Sequence, residues 1–193
     1  MKEQSLNSHY FKKVYEANDD PWNFKSSEYE TLKYQETLDA LPKSRYKNAL
    51  EIGCSIGILT KLLSGRCDQL LAIDISEKAL DQAKEYCSDL GNVTFKQMNF
   101  PSEFPDEKFD LIMISEVAYY LSAADWEFAM ENLYSNLSEK ANVILVHWLP
   151  IVHDYPQTGD EVHDQFAKIF SNKMKNVFST RAEKYRIDVW EKL

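Results

Sequence analysis

Short apolar runs alternate with segments of helical spacing along most of the chain. The first run, at 49–52, leads into a turn bracketed by Gly53 and Gly57. After this turn, apolar residues recur at helical spacing, at Ile58, Leu59, Leu62 and Leu63. Four later runs follow the same plan, at 69–74, 93–99, 109–115 and 142–148. Because these runs are largely apolar, they predict parallel strands that helices cover on both faces.

The end of the chain has a different pattern. Segment 185–190 alternates apolar and polar residues, and segment 177–180 precedes it across a tight connection. We therefore predict strands six and seven, paired antiparallel at the sheet edge. The predicted fold class is α/β, with a single-domain, doubly wound seven-stranded sheet and an antiparallel last strand. We expect residues 1–45 to form an N-terminal helical arm or lid and residues 46–193 the main part of one compact domain.

Composition and charge narrow the class of protein. The chain has 193 residues, 44% of them hydrophobic, which predicts a globular domain with a sizeable core. A net charge of −9 disfavours a nucleic-acid partner, because phosphate binding needs a basic face. Cys54, Cys67 and Cys87 form no close pairs, so we expect reduced thiols in a soluble, cytoplasmic protein. We also expect no metal site, no membrane span and no signal peptide.

The turn after the first run carries the most informative motif. Glu51, Gly53 and Gly57 match the acidic-x-Gly-x-Gly-x-Gly pattern that closes the first strand of class I S-adenosylmethionine-dependent methyltransferases. The stretch resembles that family, although Ser55 stands where the middle glycine usually lies; a plain strand-to-helix turn is the alternative. A dinucleotide fingerprint would need Gly-x-Gly-x-x-Gly, which this spacing does not supply. The resemblance implies a Rossmann-like sheet, S-adenosyl-L-methionine as cofactor and S-adenosyl-L-homocysteine as product.

A carboxylate closes the second apolar run. Asp74 lies 74 − 51 = 23 positions after Glu51, close to the offset of about 20 residues at which an acidic residue meets a ribose in nucleotide folds. A carboxylate can accept hydrogen bonds from both ribose hydroxyls. The alternative is that Asp74 caps the next helix, but Ser76 is better placed to do so. That helix is predicted to turn four residues inward, at Ala79, Leu80, Ala83 and Tyr86.

Other segments resemble a narrower group, the methyltransferases related to nodulation protein S. They are Asp-Pro-Trp at 20–22, Tyr-Glu at 29–30 followed by Lys33, Ser-Glu-Val-x-Tyr-Tyr-Leu at 115–121, and the ending 185–189. The resemblance implies that the arm covers the cofactor, and an aromatic face suits a sulfonium cation. Alternatively, Trp22 and Tyr29 merely pack the arm on the domain. Named members of the group N-methylate the amino sugar at the non-reducing end of a chitooligosaccharide.

The resemblance and the predicted fold together define a cofactor site. Asn99 ends the third predicted strand, where relatives carry an acidic residue that accepts from the adenine amino group, and its carbonyl can do the same; a simple loop asparagine is the alternative. Met98 or Phe100 can cover the adenine ring. The predicted cofactor-binding residues are Trp22, Tyr29, Lys33, Glu51, Gly53, Cys54, Gly57, Asp74, Ile75, Met98, Asn99, Phe100 and Ser115.

The acceptor pocket is predicted beside this site. Ligands of doubly wound sheets lie at the carboxyl ends of strands, around the point where strand order reverses. The residues after the fourth strand would therefore look into the pocket. The catalytic candidates are the titratable side chains Glu116, His147 and His153, each of which has a capping or surface role as its alternative. The predicted substrate-binding residues are Tyr119, Tyr120, Trp148 and His163.

These observations predict an S-adenosylmethionine-dependent methyltransferase that acts on the nitrogen of a small amine or amino sugar. The alternatives are an O-methyltransferase of a small molecule and a non-catalytic cofactor-binding protein on the same fold. An NAD-dependent oxidoreductase is disfavoured by the glycine spacing. The expected partner is a small-molecule acceptor rather than a nucleic acid or a membrane, and the expected assembly is a monomer or homodimer.

Overall fold

The computed structural model describes residues 4–193, so the first three residues of the predicted arm lie outside it. Seven strands form one sheet: β1 Tyr46–Ile52, β2 Cys67–Asp74, β3 Val93–Gln97, β4 Phe109–Ser115, β5 Leu137–Trp148, β6 Met174–Arg181 and β7 Tyr185–Lys192. The α-helices are α1 Ser8–Ala17, α2 Glu28–Asp39, α3 Ile58–Ser64, α4 Glu77–Tyr86, α5 Ala123–Ser135 and α6 Gly159–Phe170. A short 3-10 turn spans Ala118–Tyr120.

The sheet has the strand order β3-β2-β1-β4-β5-β7-β6. Strands β1 to β5 pair in parallel, whereas β7 pairs antiparallel with both β5 and β6. This confirms the α/β class, the seven strands and the antiparallel last strand. Strand order reverses between β1 and β4, so the carboxyl ends of these two strands flank the point where ligands of such sheets lie.

Apolar side chains fill both faces of the sheet. Leu50, Ile112 and Ile114 pack into one buried cluster with Trp126 of α5 and Phe166 of α6. On the opposite face, a second cluster joins side chains from the strands and from α2, including Ala49, Leu111, Ile144, Tyr34 and Leu38. Successive side chains of a strand point to opposite faces of the sheet. Because both faces are covered here, the side chains on both sides of each central strand are apolar, and the sequence of the strand is a continuous apolar run.

Helix α4 begins as predicted, but one of its four predicted inward-facing residues is exposed. Ser76 is its N-cap and accepts a hydrogen bond from the Ala79 N–H, and Ala79, Leu80 and Ala83 are buried. The prediction that Tyr86 faces inward is wrong, because its ring is 42% exposed. Tyr86 is the last residue of the helix, and the Lys61 ammonium lies 4.9 Å from the centre of its ring.

The structure of residues 4–193 also bears on the state of the cysteines and on the presence of membrane-spanning helices. Cys54, Cys67 and Cys87 are buried free thiols, which agrees with the expectation of reduced cysteines. Across residues 4–193, no helix combines the length and the apolar character needed to cross a bilayer.

The turn between β1 and α3 bends through left-handed backbone. Gly53 has φ +80°, Ser55 φ +50° and Gly57 φ +85°. Glycine adopts this region readily because it has no Cβ. At Gly53 an added Cβ would also lie 2.2 Å from a methyl carbon of Val117, in the segment after β4. The glycine thus allows the ends of β1 and β4 to approach each other closely.

We expect Gly53→Ala to destabilise the protein by about 1–2 kcal/mol from the backbone conformation alone, with a further cost from the clash with the branched side chain of Val117. Urea unfolding of the two proteins measures the difference. Gly91→Ala is the matched control, because a Cβ at Gly91 meets nothing within 4 Å. Equal stability of the Gly53 and Gly91 variants would contradict the inference that position 53 requires a residue without a Cβ.

Candidate functional site

A cavity of about 470 Å³ lies at the carboxyl ends of β1, β2 and β4, and residues of the N-terminal arm line its other side. Most of the predicted site residues line it: Trp22, Tyr29, Lys33, Glu51, Gly53, Cys54, Asp74, Ile75, Met98, Phe100, Ser115, Glu116, Tyr119, Tyr120 and Trp148. The structure does not bring five others to the cavity wall: Gly57, Asn99, His147, His153 and His163.

Asp74 is held firmly at the end of β2. One carboxylate oxygen accepts from the Ser76 N–H at 2.8 Å and the other from the Ser55 N–H at 2.9 Å. Burial raises the pKa of Asp74, and these backbone hydrogen bonds oppose the rise. Since each oxygen has a second lone pair, the side chain can still accept hydrogen bonds from a ligand in the cavity. Ser76, not Asp74, supplies the side-chain cap of α4.

Glu51 is a buried carboxylate on the cavity wall. Its side chain is 2% exposed, and its Oε2 atom has no hydrogen-bond partner among the described residues. Burial raises the pKa of Glu51 to about 7, and the nearby charge of Asp74 adds to the rise. A ligand that brought a cation or a donor to this oxygen would relieve the cost of burying it.

Glu116 is the centre of a polar cluster after β4. Its Oε1 accepts from the Lys33 ammonium at 2.6 Å. Its Oε2 accepts from the Tyr119 hydroxyl at 2.5 Å and from the Trp148 N–H at 2.9 Å. The Glu116 backbone has φ +58°, which is uncommon for a residue with a Cβ. The carboxylate therefore connects α2, the 3-10 turn and the end of β5.

Lys33 is almost completely buried between two carboxylates. Its ammonium hydrogen-bonds Glu30 at 3.0 Å as well as Glu116, and the Tyr29 ring centre lies 5.5 Å away. Burial acts to lower the pKa of Lys33, but the two glutamates outweigh it and raise the pKa. Lys33 was predicted to bind the cofactor; the structure places it on the cavity wall with its charge neutralised by Glu30 and Glu116.

Aromatic residues of the arm close the cavity. Tyr15 of α1 shares a 2.5 Å hydrogen bond with the Ser55 hydroxyl, and its ring meets Trp22 edge to face. Tyr29 lies edge-on to Trp148 with ring centres 5.8 Å apart, and its buried hydroxyl has no partner among residues 4–193. Tyr15 was not identified from the sequence as a cavity residue, although the structure places it on the cavity wall.

The remaining predicted residues lie elsewhere for identifiable reasons. His147, a catalytic candidate, and His163, a predicted substrate-binding residue, are fully buried and hydrogen-bond each other behind the 3-10 turn, so neither side chain lines the cavity. His153 is exposed on the segment between β5 and α6. Asn99 is exposed in a local loop, where its N–H donates to Glu103. Gly57 packs against Ala83 of α4.

The cavity wall has a strongly negative balance. Four carboxylates line it, Glu30, Glu51, Asp74 and Glu116, against one ammonium, Lys33. Such a site attracts cations and groups that donate hydrogen bonds. Across residues 4–193 no three histidine, cysteine or acidic side chains converge in a way that could hold a metal ion.

The chain is similar to known proteins over most of its length. A family model described as nodulation protein S matches residues 4–147. Nodulation protein S of Rhizobium tropici is 30% identical over 130 residues, which cover 66% of this chain and 55% of that protein. Nodulation protein S of Bradyrhizobium diazoefficiens is 28% identical over 130 residues, covering 66% of this chain and 62% of that protein. The match thus spans little more than half the length of these curated relatives.

Solved structures share the fold. A presumed methyltransferase from Pseudomonas syringae is 32% identical with a TM-score of 0.76, covering 85% of this chain and 99% of that one. The N-methyltransferase NodS from Bradyrhizobium japonicum, solved with S-adenosyl-L-homocysteine, is 20% identical with a TM-score of 0.82, covering 97% of this chain and 99% of that one. At 20% identity the second likeness shows the fold alone.

We expect Glu51→Gln to change the pH dependence of stability. The folded-state pKa of Glu51 is about 7, above an unfolded value of about 4.3. The native protein therefore loses stability as pH rises from about 4 through 7, because Glu51 ionises in the unfolded chain while burial keeps it protonated in the folded one. Glutamine stays neutral, so its stability relative to the native protein should rise by on the order of 3 kcal/mol between pH 4 and pH 8.

Urea unfolding at both pH values measures this difference. Glu127→Gln, at an exposed glutamate of α5, is the control and should show no such rise. A difference between the Glu51 variant and the native protein that stayed constant with pH would sink the assignment.

Proposed function

The chain belongs to the nodulation protein S family, and on that premise we propose that it is a methyltransferase that uses S-adenosyl-L-methionine to methylate the nitrogen of a small amine. The observation that carries this proposal is the cavity at the strand ends, where four carboxylates face one ammonium. A sulfonium donor and an amine acceptor are both cationic or basic groups, which such a wall favours.

The residues on the cavity wall fit this cofactor. Asp74 would accept from the ribose hydroxyls, and Met98 and Phe100, which also line the cavity, would cover the adenine ring. The unpartnered Oε2 of Glu51 suits the amino group of the methionine moiety, and Lys33 its carboxylate. When bound, the cofactor supplies a methyl group already activated on a sulfonium.

The arm contributes exclusion of water. Trp22 and Tyr29 line the cavity from the side opposite the sheet, and the Tyr15 to Ser55 hydrogen bond ties α1 to the glycine turn. An aromatic wall and a dry cavity both favour a sulfonium over its hydrated state. These contacts support the lid role that the family resemblance implies.

The acceptor would lie beside Glu116. An amine must be neutral when it attacks, and a carboxylate within hydrogen-bond reach can take its proton. The Tyr119 hydroxyl and the Trp148 N–H donate to Glu116 Oε2. Oε1 accepts from the Lys33 ammonium and has a second lone pair that can accept from an amine in the cavity. We infer that Glu116 binds the acceptor nitrogen and accepts its proton.

Among amines, the family resemblance favours an amino sugar, because named members of the group N-methylate one. The rings of Tyr119, Tyr120 and Trp148 line the acceptor side of the cavity and offer faces for the C–H groups of a sugar.

We expect Asp74→Ala to weaken binding of S-adenosyl-L-homocysteine by at least about 1.5 kcal/mol, or roughly tenfold, because a charge-assisted hydrogen bond is lost in a buried site. Isothermal titration measures the affinity, with Asp81→Ala as the exposed control. The native protein should also bind the 2′-deoxy analogue more weakly than the ribose form, and Asp74→Ala should abolish that preference. If Asp74→Ala still preferred the ribose form over the 2′-deoxy analogue as strongly as the native protein does, Asp74 would not be the residue that binds the ribose.

We expect methyl transfer from labelled donor to primary amines and not to matched alcohols. Glucosamine and deacetylated chitooligosaccharides should accept label, whereas glucose and N-acetylglucosamine should not, because they lack a basic nitrogen. Glu116→Gln should lower the acceptor kcat/KM by about 10²-fold or more through loss of the proton acceptor, with little change in S-adenosyl-L-homocysteine affinity.

Glu127→Gln is again the control for removing a carboxylate from the surface. Label on the alcohols alone would redirect the proposal to oxygen. Cofactor binding without transfer to any acceptor would favour a non-catalytic protein.

A further inference from the structure

A chain of buried hydrogen bonds runs from β7 to the 3-10 turn beside Glu116. Asp188 Oδ2 lies 2.7 Å from His163 Nδ1, and His163 Nε2 lies 3.0 Å from His147 Nδ1. The Ala118 N–H then donates to His147 Nε2 at 3.1 Å. Asp188 and both histidines are 0–1% exposed.

The partners determine which nitrogen of each ring carries its proton. His147 Nε2 accepts from the Ala118 N–H, so the proton of a neutral His147 must be on Nδ1. His147 Nδ1–H can then donate only to a bare Nε2 of His163, whose own proton must face Asp188. Burial lowers the pKa of both imidazoles, which keeps the pair neutral.

Asp188 is anchored at the far end of this chain. The Arg186 Nε lies 2.9 Å from its Oδ2, and the Ser179 hydroxyl donates to its Oδ1. Burial alone would raise the pKa of Asp188, but His163, Ser179 and Arg186 together lower it. An ionised carboxylate therefore stands where it accepts the His163 proton.

The other end of the chain meets the candidate catalytic residues. Ala118 begins the 3-10 turn that carries Tyr119, and it follows Glu116 by two positions, so its N–H lies in the backbone between the two side chains. The Tyr119 ring also meets the His147 ring edge to face, with centres 5.2 Å apart. Glu116 has left-handed backbone, a conformation that persists where surrounding contacts hold it.

We propose that His147, His163 and Asp188 are positioning residues that hold the 3-10 turn through the Ala118 N–H and so aim Glu116 and Tyr119 into the cavity. The link to methyl transfer rests on the proposed function, but the hydrogen-bond chain itself does not. Displacing a catalytic group by about 1 Å can cost roughly 10²-fold in rate, so a turn held at this point bears directly on turnover.

Two conservative variants separate positioning from packing. The amide oxygen of His147→Gln reaches approximately where Nε2 lies and can accept from the Ala118 N–H. His147→Asn is shorter, so it can still reach His163 but leaves the Ala118 N–H without an acceptor. Both replace the same buried ring, and both are therefore expected to lower the melting temperature.

We expect acceptor kcat/KM to fall by about 10- to 100-fold in His147→Asn and to stay near the native value in His147→Gln, with S-adenosyl-L-homocysteine affinity unchanged in both. Equal losses in the two variants that followed their melting temperatures would overturn the positioning role. Asp188→Asn should behave like His147→Gln, because the amide oxygen can still accept from His163 while its NH2 faces the Ser179 hydroxyl.

Nuclear magnetic resonance of the ligand-free protein tests the same proposal without turnover. The imidazole nitrogens should show Nδ1–H tautomers at both histidines near neutral pH. The Ala118 amide should be protected from hydrogen exchange in the native protein and in His147→Gln, and unprotected in His147→Asn, with the Glu116 carboxyl resonance moving only in His147→Asn. An Nε2–H tautomer at His147 would refute the proposed hydrogen-bond chain. If these signals were as expected but the native protein transferred no methyl group, only the proposed activity would be refuted.

Discussion

The ion pair between Lys33 and Glu116 joins the N-terminal arm to the sheet at the cavity. The ammonium lies 2.6 Å from Glu116 Oε1, and Lys33 comes from α2 whereas Glu116 follows β4. Burying two charges is costly unless their geometry and remaining hydrogen bonds are satisfied. Here Glu30, Tyr119 and the Trp148 N–H supply those bonds. The arm, the 3-10 turn and the end of β5 can therefore reach low energy only when they meet at this point.

Much of the unusual backbone lies at the same edge of the sheet. Of the six residues with positive φ in the described part of the chain, four lie in the segments after β1 and β4: Gly53, Ser55, Gly57 and Glu116. Unpartnered polar atoms on Glu51 and Tyr29 also face this cavity. Sequences break local rules mainly where function requires it. Strained backbone, unpartnered polar atoms and an excess of acidic side chains occur together at this cavity, which is the physical reason to treat it as the functional site.

The fold was predictable because both faces of the sheet are covered. Buried parallel strands read as apolar runs whatever their neighbours, and Asp74 was found from its place at the end of one such run. The start of β5 was missed by five residues, since Ser138, Glu139 and Lys140 are polar although they belong to the strand.

Which side chains of a strand point into the cavity was harder to predict than where the strand lies in the sequence. His147 and Trp148 are adjacent on β5, and successive strand side chains point to opposite faces, so only one of them can line the cavity. The structure gives the cavity to Trp148 and buries His147 behind the turn. His163 lies on α6, and its partnership with His147 spans 16 positions, which no local pattern reports. The sequence shows that His147 and His163 are titratable. Their burial and their hydrogen-bond partners depend on how α6 and β7 pack, which the sequence does not show.

Ser55, which stands where the motif at 51–57 usually has its middle glycine, also contacts the N-terminal arm. A serine at φ +50° is strained relative to the glycine that relatives of this fold usually carry there, by an amount on the order of 1–2 kcal/mol. Its hydroxyl shares a partly buried hydrogen bond with the Tyr15 hydroxyl of α1, which contributes about 1 kcal/mol and offsets much of that strain. Its N–H also donates to Asp74, so the turn, the arm and the carboxylate share one residue. A glycine at position 55 would relax the backbone but leave the Tyr15 hydroxyl without this partner, and α1 would lose its polar attachment to the turn. The substitution is therefore coupled to the presence of the arm over the cavity.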